Sequence, residues 1–244
     1  MRYQQISFVF LLVALQSLCI EAFTSPTFGL GAVLFRPKNV VVVPNYGEDE
    51  ELVNAAKFFT NAFWVGKVGG AKELSDRQIK SLGNSQIAEF RRRYGGSRIN
   101  KQDRRAELVV CKNDVSGEIY GCAGIEVSNI STPNGKGTQF AGPLMSNLAV
   151  GKKFRRKGLA EDLVTAAEEL ALKEWGYDEC YLYVEKRNSP ALKLYKKLGY
   201  KVQWEDDTAT TLVPTDAGNI VSKPTIIICM KKVLSKGLFG RFFG

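Results

Sequence analysis

The chain has 244 residues, 45% apolar and 24% charged, which leaves room for one folded domain, with or without a leader, and argues against wholesale disorder. Its net charge of +9 points to an anionic partner without saying which one. It contains no histidine, which excludes Ser-His-Asp and Cys-His catalysis and histidine-ligated metals, so any acid or base must be a carboxylate, Tyr, Cys, Lys or a water they hold.

Residues 1–22 read as a secretory signal: Arg2 is followed by an apolar run from 6 to 20, broken only by Ser7, Gln16 and Ser17. That run is shorter than the roughly 20 residues a membrane span needs. No acidic residue occurs from 22 to 47, and residues 23–28 are rich in hydroxyls. Such composition marks a transit segment, assigned to 23–38. The junction Ala22-Phe23-Thr24-Ser25-Pro26 resembles the two-part plastid leaders of algae, with Phe just after the cleavage point. The expected destination is the plastid, with secretion as the alternative and no membrane span once the leader is removed.

A Val-rich strand is expected over 39–43, then a helix over 48–64 whose acidic start suits a helix N-terminus. Residues 65–72 read as a Gly-rich loop and 75–94 as a second helix ended by Gly95 and Gly96. Strands follow over 106–112 and 118–127, then a loop over 128–143 and a strand over 144–150. A helix over 159–175 places Leu159, Leu163, Ala166, Ala167 and Leu170 on one face, with Glu168, Glu169 and Lys173 outward. The remaining elements are a strand over 179–185, a helix over 190–198 capped by Ser189, and strands over 200–204 and 225–230. Residues 205–223 receive no assignment, and 235–244 form a basic, aromatic tail. The five cysteines are scattered with no C-x-x-C pair, so they read as buried free thiols rather than a zinc site.

Two blocks carry chemistry. In the first, a strand ending Leu148-Ala149-Val150 runs into a basic turn and opens a helix at Leu159. Free N–H groups and a partial positive charge make a helix N-terminus an anion site. Gly158 and the small Ala160 permit close approach of a pyrophosphate, and Arg155, Arg156 and Lys157 add charge. A solvated basic turn would look the same, and nucleic acid competes for the charge, although one basic turn is a weak footprint and no nucleic-acid module is present. In the second block, Asn188-x-x-Ala191-x-x-Leu194-Tyr195-x-x-x-Gly199-Tyr200 follows a strand. Ala191, Leu194 and Leu198 fit a core, and Tyr195 on that face could be packing; a core explains Asn188 less well.

Together the blocks resemble the GNAT superfamily of acyl-CoA-dependent N-acetyltransferases. Arg155, Gly158 and Ala160 match its pyrophosphate loop, and the Asn188–Tyr200 block matches its second signature. The resemblance is strong over 144–203, and a GNAT domain is expected over 39–234. It implies an α+β fold: a mixed, mostly antiparallel sheet flanked by helices, its fourth and fifth strands splayed into a V-shaped cleft. It implies acetyl-CoA as cosubstrate, no metal, and an amine acceptor on a protein or peptide. The pantetheine arm would meet backbone groups around Leu148, Ala149 and Val150. The pyrophosphate would sit on Arg155 to Ala160, Leu159 included, and Asn188 would lie near the pantetheine. Tyr195 matches the residue that protonates the leaving thiolate.

The base is left open. Some family members carry Glu where this chain has Tyr183. Glu185, on the same strand face, and Glu126, on an earlier strand, are the alternatives. Protein N-termini, lysine side chains and small arylalkylamines are the candidate acceptors. Two other classes compete with the enzyme: a non-catalytic acyl-CoA-binding module, and a membrane- or nucleic-acid-binding protein using the basic surface.

Overall fold

A computed structural model describes residues 37–65, 67, 70, 73–95, 105–130, 139–215 and 220–234. Nearly all of the expected leader, and the tail 235–244, lie outside those residues. The elements in chain order are β1 (Val40–Pro44), α1 (Asp49–Phe59), α2 (Asp76–Tyr94), β2 (Ala106–Asn113), β3 (Ile119–Ile130) and β4 (Phe140–Val150). There follow α3 (Leu159–Glu169), β5 (Glu179–Glu185), α4 (Ser189–Lys197), β6 (Lys201–Asp206), β7 (Thr210–Pro214), β8 (Ile220–Pro224) and β9 (Ile227–Val233). Both α1 and α3 widen into π-helical turns, Thr60–Trp64 and Leu170–Glu174.

Seven strands form one sheet in the order β1-β2-β3-β4-β5-β9-β6, while β7 and β8 form a separate two-stranded hairpin. Every pairing in the large sheet is antiparallel except β4 with β5. Alternation along each strand sends side chains to two faces. On one face Leu159, Leu163, Ala167, Ala191 and Tyr195 of α3 and α4 pack against Val109, Ile125, Leu182 and Val184. On the other, Leu52, Phe59, Phe63 and Phe90 of the α1 and α2 region cover Leu108, Val110 and Cys122. Further along that second face, Leu144, Tyr181, Tyr183 and Cys229 form a smaller cluster with Ala209 and Trp204.

Local chemistry explains several element ends. Ser75 and Gln78 make a reciprocal capping box that starts α2. Gly199, at φ 92°, takes the left-handed turn that stops α4. The cap of α4 differs from expectation: Asn188, not Ser189, accepts from the Ala191 N–H at 3.3 Å. The asparagine oxygen competes well for this donor and leaves Ser189 free to begin the helix.

Three other expectations are corrected. The strand expected from 144 begins at Phe140, and β3 runs to Ile130, so part of the expected loop is strand. Gly142 and Pro143 hide this in the sequence. Pro143 precedes the residues that pair with β5, so its missing N–H costs no ladder bond on that side. The unassigned stretch 205–223 holds most of the β7–β8 hairpin. Glu168, expected to face outward, is 1% exposed and accepts from Lys232 Nζ at 2.6 Å. A buried carboxylate is tolerated because that cation answers it. The four described cysteines are free and buried, as expected, and burial pushes the Cys229 thiol up to about 12.

Candidate active-site cleft

The cleft begins where two strands stop pairing. β4 and β5 are joined only at Leu144 with Tyr181 and Met145 with Leu182. Beyond Met145, β4 carries a bulge: Asn147 and Leu148 lie between the pairs Ser146–Gly124 and Ala149–Cys122, opposite the single residue Ala123. Asn147 takes a left-handed φ of 53°, which asparagine tolerates better than most residues. The bulge turns β4 away, so residues 146–150 have no β5 partner.

On the α3 side, the chain leaves β4 through a 3-10 turn, Lys152–Phe154, and reaches Gly158 at φ 85°. No side chain caps α3. Its first N–H groups are therefore available to an anion. Arg156 is exposed beside them, at φ 63°, with Lys152 and Lys153. Arg155 behaves differently: its Nε donates to the Val150 carbonyl at 3.1 Å and its guanidinium also reaches the Ala62 carbonyl at 3.5 Å. It braces the turn against the end of α1.

Asn188 and Tyr195 complete this side. Asn188 is 6% exposed; its oxygen caps α4, but its Nδ2 has no partner. A buried donor left open suits an acceptor on a ligand. Tyr195 is 3% exposed and meets Tyr200 edge-on at 5.7 Å between ring centroids. Burial, then the neighbouring Cys180 thiol, push its phenol well above the ordinary 10, so it stays protonated. An uncapped helix N-terminus, an open amide donor and an unpaired strand edge fit a phosphorylated, amide-bearing thioester such as acetyl-CoA.

The opposite side is lined by ion pairs and hydrogen bonds between side chains. Glu185 is fully buried; it accepts from Arg187 Nε at 2.5 Å, Thr211 Oγ1 at 2.9 Å and Thr225 Oγ1 at 3.2 Å. Glu126 pairs with Arg93 at 3.0 Å, the two side chains being 9% and 1% exposed. Lys67, after α1, donates to Thr211 Oγ1 at 3.2 Å and to the Leu212 carbonyl at 2.7 Å, and lies 4.9 Å from the Phe63 and Trp64 rings. Trp64 clusters with Ala149 on the β4 arm, and Thr211 touches Glu185 on the β5 arm. Lys67 thus bridges the two arms. Glu185 and Tyr195 sit on opposite faces of β5.

Residues 78–200 match the model of the acetyltransferase (GNAT) family, half of the chain. The chain belongs to the GNAT family. Among curated GNAT relatives, it is 46% identical over 57 residues to GCN5-related N-acetyltransferase 4, chloroplastic, of Arabidopsis thaliana, covering 23% of this chain and 19% of that protein. It is 40% identical over 55 residues to the N-alpha-acetyltransferase of Sulfurisphaera tokodaii, covering 22% of this chain and 33% of that one. The chain therefore spans a third or less of either relative. The crystal structure of Arabidopsis thaliana NAA60 in complex with acetyl-CoA has the same fold, with a TM-score of 0.50 at 14% identity, covering 80% of this chain and 98% of that chain.

Within this GNAT fold, residues 148–150 lie on the unpaired arm of β4, 156–160 lead into α3 and Asn188 caps α4, while Arg155 is turned back onto Val150 and Ala62. The two carboxylates do not join them; both are held in ion pairs on the other side. Sequence reasoning missed Lys67, Arg93 and Thr211. An arginine inside an otherwise amphipathic helix gives no signal of burial, and the Gly-rich surroundings of Lys67 suggest a solvated loop. Among the described residues no helix is long and apolar enough to cross a membrane.

Proposed function

We propose that this chain transfers the acetyl group of acetyl-CoA to a primary amine, on a protein N-terminus or a lysine side chain, within a ternary complex in the plastid. The observation that carries the reading is the parting of β4 from β5 beside the uncapped start of α3. Pyrophosphate on the N–H groups of 156–160 would draw the pantetheine arm along the open β4 edge, with Asn188 Nδ2 donating to one of its carbonyls. The chloroplastic relative supports the destination, and the N-alpha-acetyltransferase supports a protein N-terminus as acceptor.

The amine nitrogen attacks the thioester carbonyl carbon. A C–N bond forms and the C–S bond breaks. Backbone N–H groups at the bulge stabilise the developing oxyanion, Tyr195 gives its proton to the departing sulfur, and the proton that the nitrogen sheds on becoming an amide returns to the phenolate through water. The phenol holds its proton at neutral pH. The attacking amine must arrive neutral. An α-amine has a reference pKa of about 7.7–8.0 against about 10.4 for lysine, so a protein N-terminus needs the least help from a base. That favours the N-terminal acceptor, because Glu126 and Glu185 are both committed to cations.

The test is to incubate the protein with acetyl-CoA and peptides bearing free N-termini and internal lysines, then locate the added acetyl groups by mass spectrometry. Modification at N-termini above lysines is the expected result. A protein that binds CoA yet modifies neither these peptides nor small arylalkylamines would be an acyl-CoA-binding module instead.

A further inference from the structure

Arg93 and Tyr94, in the last turn of α2, reach the sheet where β4 leaves β5. Tyr94 is fully buried, and its hydroxyl accepts from Asn147 Nδ2 at 2.7 Å and lies 3.3 Å from Ser146 Oγ. Arg93 donates to Ser146 Oγ at 2.8 Å and to Glu126 at 3.0 Å. β3 is cut to fit: a Cβ on Gly124 would stand 1.9 Å from the Tyr94 hydroxyl. Three elements are therefore matched around one point, and that point is the first residue beyond the β4–β5 pairing. Arg93 Nη1 and Asn147 Oδ1 keep no partner there, so the network is not simply a sealed set of bonds.

We propose that Arg93 and Tyr94 are positioning residues for acetyl transfer, holding the β4 bulge at Asn147 and Leu148 in the shape that aims its backbone into the cleft, and that Glu126 serves Arg93 rather than the amine. This rests on the transfer reaction proposed above. A bulge with one residue in a left-handed conformation has no ladder bonds of its own at that residue, so its shape must come from outside the strand. Asn147 carries the strained φ, and its amide is gripped by Tyr94. Ser146, next to it, is gripped by Arg93. Glu126 keeps the buried guanidinium in place.

Tyr94→Phe removes one hydroxyl and keeps the ring. It should lower kcat by about 10–100-fold, the scale of a small misplacement of reacting groups, with the Kd for CoA nearly unchanged. Glu126→Gln should lower kcat while the acidic limb of the kcat/KM profile stays where it is. Wild-type kcat in Tyr94→Phe with only a lower Tm would make the network a structural prop and overturn the proposal. Loss of the acidic limb in Glu126→Gln would make Glu126 the base and also overturn it. If Tyr94→Phe does not fold, Ser146→Ala removes the shared partner and is measured in the same way. A readout without turnover comes from the backbone amide NMR signals of Leu148 and Val150. Their shift on adding CoA should shrink in the variant, and an identical shift overturns the proposal. If the wild-type protein acetylates no amine, the proposed reaction fails, and these shifts still judge the network.

Discussion

On the α3 side of the cleft, polar groups are left open: the first N–H groups of α3 have no side-chain cap and Asn188 Nδ2 has no partner. On the α1 side, Lys67, Thr211 and Glu185 form one chain of hydrogen bonds, and Arg93 and Glu126 form a buried ion pair that leaves only Arg93 Nη1 over. Open groups in a folded protein cost stability unless a ligand or water answers them, so they mark where a ligand belongs. Groups that satisfy each other mark a wall. Under the proposed function, the cosubstrate meets a prepared charge pattern and the acceptor a fixed shape.

The sharpest way to break this contrast is Tyr195→Phe. Removing a general acid should cost about 10²–10⁴ in kcat, with the Kd for CoA retained in a calorimetric titration. Equal loss of both would place Tyr195 in the packing of α4 rather than in the reaction. Arg93→Met tests the wall. Leaving Glu126 buried without its partner should destabilise the fold by about 3–5 kcal/mol in urea unfolding, because breaking a buried pair strands a charge. Lys67→Met should raise the KM for a peptide acceptor and cost about 1–3 kcal/mol, since the Leu212 carbonyl and Thr211 lose their donor. The KM for acetyl-CoA should not follow it. On the open side, Gly158→Ala forces a side chain into a left-handed turn at a cost of about 1–2 kcal/mol and should weaken CoA binding about tenfold. The smallest effect concerns pH. Because burial holds the Tyr195 phenol above 10, kcat should show no fall from its ionisation as pH rises from 8 to 10. A descending limb near pH 10 would show a solvated phenol.

The same contrast explains what could be read from the sequence. The open side comes from two short continuous blocks, and its features are local: a glycine that must turn left-handed, a helix start, an Asn-Ser-Pro entry to α4. β5 matches its expected bounds for the same reason, since a buried strand between turn signals is a local pattern. The wall is non-local. Arg93 finds Glu126 across 33 residues and Ser146 across 53, and Lys67 finds Thr211 across 144. No pattern in a single stretch marks such partners. The hairpin β7–β8 is equally invisible, because β7 buries only some of its residues and β8 is largely exposed. Glu126 and Glu185 were candidates by strand position; the structure adds the cations that they meet, Arg93 and Arg187.

The two-pair join between β4 and β5 has a consequence for how the molecule is made. Everything on one side of the join, β1 to β4 with α1 and α2, is encoded before residue 151, and every strand on the other side after residue 178. A nascent chain can complete the first leaf while the second is still being translated. Neither leaf contains a cleft. The proposed reaction centre lies along the seam, so it needs both leaves in place.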